Sequence, residues 1–139
     1  MAQDGTTIRV EPSGKVTALI GVTDQGQGTP TAFSQIIADE LGVDVEDITV
    51  ISGDTAMVPY GGGTWGSRGS VIGAGATLLA ARALREKIMR LGAALLEALP
   101  DDIEIAQGQI YIKGSPDRGM RLGELARTVL YRSDQLPSG

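Results

Sequence analysis

The 139-residue chain contains no cysteine and no histidine. The first absence excludes disulfides, thiolate nucleophiles and cysteine-ligated metals. The second excludes the usual zinc sites, Ser-His triads and imidazole acid–base chemistry. Aromatic residues are scarce, with one Phe, one Trp and three Tyr. Positive charge is also short: 12 Lys and Arg face 17 Asp and Glu, a net charge of −5. That balance argues against a nucleic-acid backbone or an anionic membrane as the main partner. No apolar run approaches the ~20 residues of a membrane span. The start, "MAQDGTTIRV", lacks the basic-then-apolar pattern of a secretory signal. The expectation is a soluble, cytoplasmic protein.

What the chain does have is glycine, 20 residues of it. The hydrophobic fraction of 42% is ordinary, so a folded chain is expected, with residues 1–139 as a single domain. Much of the glycine falls in two stretches, "GVTDQGQGTPTAFSQ" (21–35) and "YGGGTWGSRGSVIGAG" (60–75). Glycine permits unusual backbone angles and close approach to a ligand, at an entropic cost. Its concentration in two loops implies that their shape matters.

Hydrophobic periodicity places those loops. "TTIRVEPSGKVTALIGV" reads as a β-hairpin: Ile8 and Val10 alternate with polar residues, "PSGK" turns, and Val16, Ala18, Ile20 and Val22 alternate on the return. The first loop follows. Thr29 is expected to cap the next helix, with Pro30 at its first position. Phe33, Ile36, Ile37 and Leu41 form one apolar face, and Gly42 ends it. "DITVISG" is a short strand. The second loop then runs into a long helix over 70–98. Its start, "VIGAGATLLAA", is small and apolar enough to be expected buried. Its later turns are amphipathic, with Leu84, Ile88, Leu91 and Leu95 inward and Arg82, Glu86, Lys87 and Arg90 outward. A second hairpin turns at Gln107-Gly108, and "MRLGELARTVLY" is a closing helix. The order ββαβαββα predicts an α+β fold, a mixed sheet with one long helix packed on it.

Each glycine-rich loop opens a helix, whose N-terminus offers unpaired N–H groups and a partial positive charge. Neighbouring amides there can converge on an anion. Thr29, Thr31, Thr64, Ser67 and Ser70 add hydroxyls, and Arg68 adds a forked cation. One such loop alone is equally well a tight turn; two, with this hydroxyl and arginine content, favour a phosphate or an extended polar cofactor. Neither loop has the GxxxxGK[ST] or GxGxxG pattern. Asp24 and Asp54 are either acid–base groups or braces for their loops. Asp39, Glu40, Asp44, Glu46 and Asp47 read as solvated charge. Trp65 is either a stacking surface or packing bulk. Spacing alone thus describes a binding site with no nominated catalyst.

The two loops also carry a resemblance. "DQGQGTPTAFSQIIADELGV" followed by "ITVISGDTAMVPYGGGTWGSRGSVIGAGA" resembles the large, molybdenum-binding subunit of the molybdenum hydroxylases, the family of xanthine dehydrogenase, aldehyde oxidase and carbon monoxide dehydrogenase. The "GSR" form is nearer the carbon monoxide dehydrogenase-like branch. "IRVEPSGKVTALIG" and "MRLGELA" extend the similarity over nearly the whole chain. The resemblance implies that Gln25, Gly26, Gln27 and Gly28 contact a pterin near the metal. It implies that Thr64, Gly66, Ser67, Arg68, Gly69 and Ser70 hold the pterin and its phosphates, with Gly69 standing where the family often has Ser or Thr. The implied cofactor is molybdopterin cytosine dinucleotide with molybdenum, whose dithiolene rather than a side chain ligates the metal. Iron–sulfur clusters and FAD would lie on other domains or subunits.

Family subunits are several times longer, and the glutamate that serves them as base lies in a later segment. No "GxGE" motif occurs here. The chain is therefore read as one piece of a molybdenum-binding domain, inactive alone. Its partners would be the remaining segments of the large subunit and the iron–sulfur and flavin subunits, with a homo-oligomer left open. The whole enzyme would oxidise an aldehyde, an N-heterocycle or a similar small substrate, with water as the oxygen source. Two alternatives stand beside this: a self-sufficient nucleotide- or phosphate-binding module, and a non-catalytic interaction domain whose exposed surface would lie around Trp65 and residues 71–80.

Overall fold

The computed structural model describes residues 4–54, 56–58, 61 and 69–136. Its strands are β1 (Thr6–Val10), β2 (Val16–Ile20), β3 (Ile48–Ser52), β4 (Ile103–Ala106), β5 (Gln109–Ile112) and β6 (Ser115–Arg121). Its helices are α1 (Thr29–Leu41), α2 (Ala74–Leu96) and α3 (Leu122–Tyr131), and a π-helical turn, Gly69–Gly73, leads into α2. The α+β class holds, and so does the long helix lying on a sheet. The strands divide into two three-stranded sheets, β1-β2-β3 and β4-β5-β6.

The first sheet is mixed. β1 and β2 form the expected hairpin, with Thr6 opposite Ile20 and Val10 opposite Val16. β2 and β3 run parallel, because α1 carries the chain back to the edge it started from. Val16, Ala18 and Ile20 on alternate positions of β2 are all 1% exposed or less. Val16 and Ala18 pack with Ile37 and Leu41 of α1 and Ile88 of α2, and Ile20 packs with Val22 and Phe33.

The second sheet closes the opposite end. Its hairpin turns at Gln107 and Gly108, both at positive φ (51° and 70°), as the Gln-Gly pair predicts. Ile103, Ile105 and Ile110 face inward and join Leu122 and Leu125 of α3. β6 lies outside the sequence reading. "SPDRGMR" is rich in strand-poor residues and lacks apolar alternation, so only its pairing with β5 makes it a strand.

Two helix ends differ from expectation. The cap of α1 is Gly28, in the left-handed region at φ 79°, and Thr29 is already helical and 5% exposed. Asp24 Oδ1 accepts the Thr29 N–H at 3.4 Å, and no side chain caps the helix. Gly42 does end α1, at φ 62°, donating to Ala38 O. The start of α2 is not wholly buried. Gly73, Thr77 and Ala81 face inward, but Val71 and Leu79 are 70% and 68% exposed. A small-residue run cannot by itself say which of its faces is covered. Among the described residues no helix is long and apolar enough to cross a membrane.

Candidate functional site at the loop edge

Because β2 and β3 are parallel, their carboxyl ends lie on one edge of the sheet, and both glycine-rich loops leave from that edge. In open sheets with helical crossovers, the crevice outside such strand ends is where ligands sit. The floor here is a separate apolar cluster, Ile20, Val22 and Phe33, exposed by 3% or less. A cavity of about 190 Å³ opens above it, lined by Ile20, Gly21, Thr23, Gly53, Asp54, Val58 and Gly61.

Two glycines fasten the second loop to the first. A Cβ on Gly61 would lie 2.2 Å from Gly21 O, so the backbones meet there without room for a side chain. A Cβ on Gly73 would lie 2.8 Å from Val22 Cγ1 and 3.2 Å from Phe33 Cζ. The described residues on both sides of 62–68 thus rest on the root of the first loop. Thr64, Trp65, Gly66, Ser67 and Arg68 themselves lie outside the described residues. Gly69 and Ser70 form the start of the π turn.

The first loop is described completely. Gly26 and Gly28 stand at φ 94° and 79°, and among the described residues nothing comes within 4 Å of the position a Cβ would take. Their lack of a side chain leaves open space over the loop, in contrast to Gly61. Gln25 to Gly28 are all exposed. Asp24 is a brace: its Oδ1 accepts from Gly26 N–H at 3.3 Å and from Thr29 N–H. Asp54 does the same for its own turn, accepting from Ala56 N–H at 2.9 Å. The Gln27 side-chain oxygen accepts the Gln25 N–H at 2.7 Å, which leaves the Gln27 amide NH₂ as its donor. Among the described residues no acceptor engages the backbone N–H of Gln27, Gly28 or Thr31.

The donor set is therefore amide in character: free backbone N–H groups at the start of a 13-residue helix, together with a glutamine NH₂. Such a set suits an anion or the polar rim of a heterocycle. No three Asp or Glu among the described residues cluster as a metal cage. The amide donors fit a pterin–phosphate group.

A larger groove lies elsewhere. It measures about 600 Å³ and runs between β1, α2 and α3, over Ile8, Val10, Leu84, Ile88, Leu91 and Leu125. Its lining is chiefly apolar and includes no glycine-rich loop. Size favours that groove, but the chemistry favours the smaller cavity, where free amides and close backbone contacts meet.

The sequence reading missed the Gly21–Gly61 contact and the roles of Thr23 and Val58 in the cavity wall. Gly21 directly after a strand, paired with the "GGG" run, was the available signal; Thr23 and Val58 gave none.

Comparison with known proteins places the chain in a family. Residues 1–138 match the family model described as "Molybdopterin cofactor-binding domain". The carbon monoxide dehydrogenase large chain of Afipia carboxidovorans is 40% identical over 88% of this chain and 15% of its own length. The nicotine 6-hydroxylase large subunit of Paenarthrobacter nicotinovorans is 35% identical over 98% of this chain and 17% of its own. Among solved structures, quinoline 2-oxidoreductase of Pseudomonas putida superimposes with a TM-score of 0.86 at 39% identity, over 98% of this chain and 17% of that one. The chain thus spans about one sixth of the relatives it matches. It belongs to the molybdopterin cofactor-binding domain family found in molybdenum hydroxylase large subunits, and it covers a fragment of such a subunit.

Proposed function

We propose that this chain forms half of the cofactor cradle of a molybdenum hydroxylase and is inactive alone. The observation that carries the reading is the shared loop edge, where the unengaged amides of Gln27, Gly28 and Thr31 lie beside the open space above Gly26 and Gly28. In this reading Gln25, Gly26, Gln27 and Gly28 contact the pterin. Thr64, Gly66, Ser67, Arg68, Gly69 and Ser70 hold its phosphates. The Gln27 NH₂ donates to the pterin rim, and the helix-end amides neutralise phosphate charge. Gly26 and Gly28 keep side chains out of the ligand's path.

The group meant is molybdopterin cytosine dinucleotide with molybdenum. When bound, it supplies the metal redox chemistry by which a water-derived oxygen reaches an aldehyde, an N-heterocycle or a similar small substrate. The base for that reaction is not in this chain. Asp24 and Asp54 are committed to their turns and are not nominated for it. Electrons would pass to iron–sulfur clusters and FAD on other domains or subunits, in a cytoplasmic assembly in which residues 1–139 serve as one domain. The test is reconstitution with the missing segments, followed by assay of molybdenum and pterin in the purified complex. The reading expects both, and expects loading to collapse in Ser67→Ala/Arg68→Ala. An empty complex, or full loading of the double variant, counts against it.

A second reading, a non-catalytic interaction domain, draws on one observation: Val71 and Leu79 are exposed at the start of α2. An association-state measurement on the isolated chain separates the two. A concentration-dependent oligomer lost in Val71→Asp/Leu79→Asp favours an interface, and titration with cytidine diphosphate reports whether the loops bind unaided.

A further inference from the structure

The π turn Gly69–Gly73 joins the second loop to α2, and one side chain one turn further on ties it down. Thr77 is fully buried. Its hydroxyl donates to Gly73 O at 2.9 Å. The Thr6 hydroxyl lies 3.2 Å from the Thr77 hydroxyl, across 71 positions of sequence. Thr77 has one hydroxyl proton, and the carbonyl takes it. Thr6 is therefore the donor to Thr77 Oγ1, and a directed relay runs from β1 through α2 to the last carbonyl of the π turn.

Back-bonding to the i−4 carbonyl is a common way for a helical threonine to satisfy its own hydroxyl, and it does nothing for the fold by itself. The Thr6 arm is what sets this one apart. Threonine is also a poorer helix former than alanine, although alanine-like bulk fills most of this helix start. Thr6 is paired with Ile20, the last residue of β2 before the first loop. Gly73 rests on Val22 and Phe33, within the same loop's root and helix. One relay thus references the exit of the second loop to the strand that launches the first. π turns concentrate at functional sites, where they re-aim backbone groups.

We propose that Thr77 is a positioning residue for the cradle. Through the Thr6 relay it fixes the π turn, and with it the backbone amides of Gly69 and Ser70, relative to the first loop. This rests on the cradle reading above, but its main readout does not need a ligand.

The experiment compares wild type, Thr77→Val and Thr77→Ser in the 139-residue chain by hydrogen–deuterium exchange. Thr77→Val keeps the shape and removes the relay; Thr77→Ser keeps the hydroxyl. The expected result is exchange about five- to tenfold faster at amides 69–76 in Thr77→Val, the size expected for one lost hydrogen bond, with β4 and β5 unchanged and Thr77→Ser near wild type. Where wild type binds cytidine diphosphate, its affinity falls by a similar factor in Thr77→Val. Exchange unchanged at 69–76, or raised evenly over the chain as plain destabilisation would do, overturns the proposal. So does faster local exchange with undiminished cytidine diphosphate affinity. Should wild type bind no cytidine diphosphate, the cradle is incomplete in this chain alone, and the exchange result still decides for or against Thr77.

Discussion

Gly26 and Gly92 are the same residue used in opposite ways, at opposite ends of the molecule. At Gly92 a Cβ would lie 2.8 Å from Ile110 Cγ2, so the second sheet is drawn tightly onto α2. At Gly26 a Cβ would meet nothing within 4 Å among the described residues. One glycine removes space and the other preserves it. Gly42 belongs with the first kind, its would-be Cβ 2.8 Å from Ile105 O, and Gly28 with the second. A closed end supplies the stability that an open, amide-lined end does not supply for itself. The contrast predicts that substitutions at the closed end lower stability, whereas those at the open end act mainly on ligand binding.

The largest expected effect tests the closed end. Ile110, on β5 of the second sheet, is fully buried against α2. Ile110→Ala should cost about 2–5 kcal/mol through lost burial and the cavity left behind, read by urea denaturation. A cost below about 1 kcal/mol would mean that the second sheet is not anchored as described, since that lies under the usual range for such truncations. Gly61→Ala comes next and sits on the boundary between the two kinds. Its methyl would run into Gly21 backbone, which cannot swing aside as a side chain would. About 1–3 kcal/mol of overpacking cost is expected, together with weakened cofactor loading in the reconstituted complex. Normal loading would show that the fastening of the two loops is dispensable.

Gly28→Ala probes the open end. The site has room for a methyl but a φ of 79°, so only backbone strain should count, about 1 kcal/mol by thermal unfolding. If the cradle reading holds, cofactor loading falls by more than that strain explains, because the methyl enters the space above the loop. A variant that loads normally would make Gly28 a turn residue and nothing more.

The sequence disclosed these ends unequally. Alternation in Val16–Ile20 and Ile103–Ile112, the Gln107-Gly108 turn and the Gly42 helix end were all readable, because each is set by contacts within a few residues. The loop Gln25–Gly28 leaves the carboxyl end of β2, beside that of β3. What stayed hidden depends on distant partners. β6 is a strand only because β5 is beside it. The Gly21–Gly61 contact joins residues 40 positions apart, and Thr77 finds Thr6 across 71. The cap of α1 falls on Gly28 rather than Thr29 because the chain enters the helix through a left-handed backbone, which glycine adopts at no steric cost.

The smallest effect lies between the two ends, where α1 and α2 touch at Glu40. Its carboxylate pairs with Arg82 Nε at 3.2 Å, and the Arg82 side chain is 58% exposed. Arg85 Nη1 meanwhile donates to the backbone oxygen of Glu40 at 2.7 Å. That second contact answers a carbonyl near the C-terminal end of α1, where a cation is favoured, and it needs no Glu40 side chain. Glu40→Gln should therefore remove only a solvent-screened pair, costing about 0.2–1 kcal/mol at low salt and less at high salt. Arg85→Met should lose the carbonyl contact and cost more than Glu40→Gln, with little salt dependence. Chemical denaturation of both variants at two salt concentrations checks the ranking. A larger loss in Glu40→Gln would mean that the two helices are held by the ion pair rather than by the helix-end bond. The seam between the two ends would then owe its stability to charge rather than to a helix-end bond.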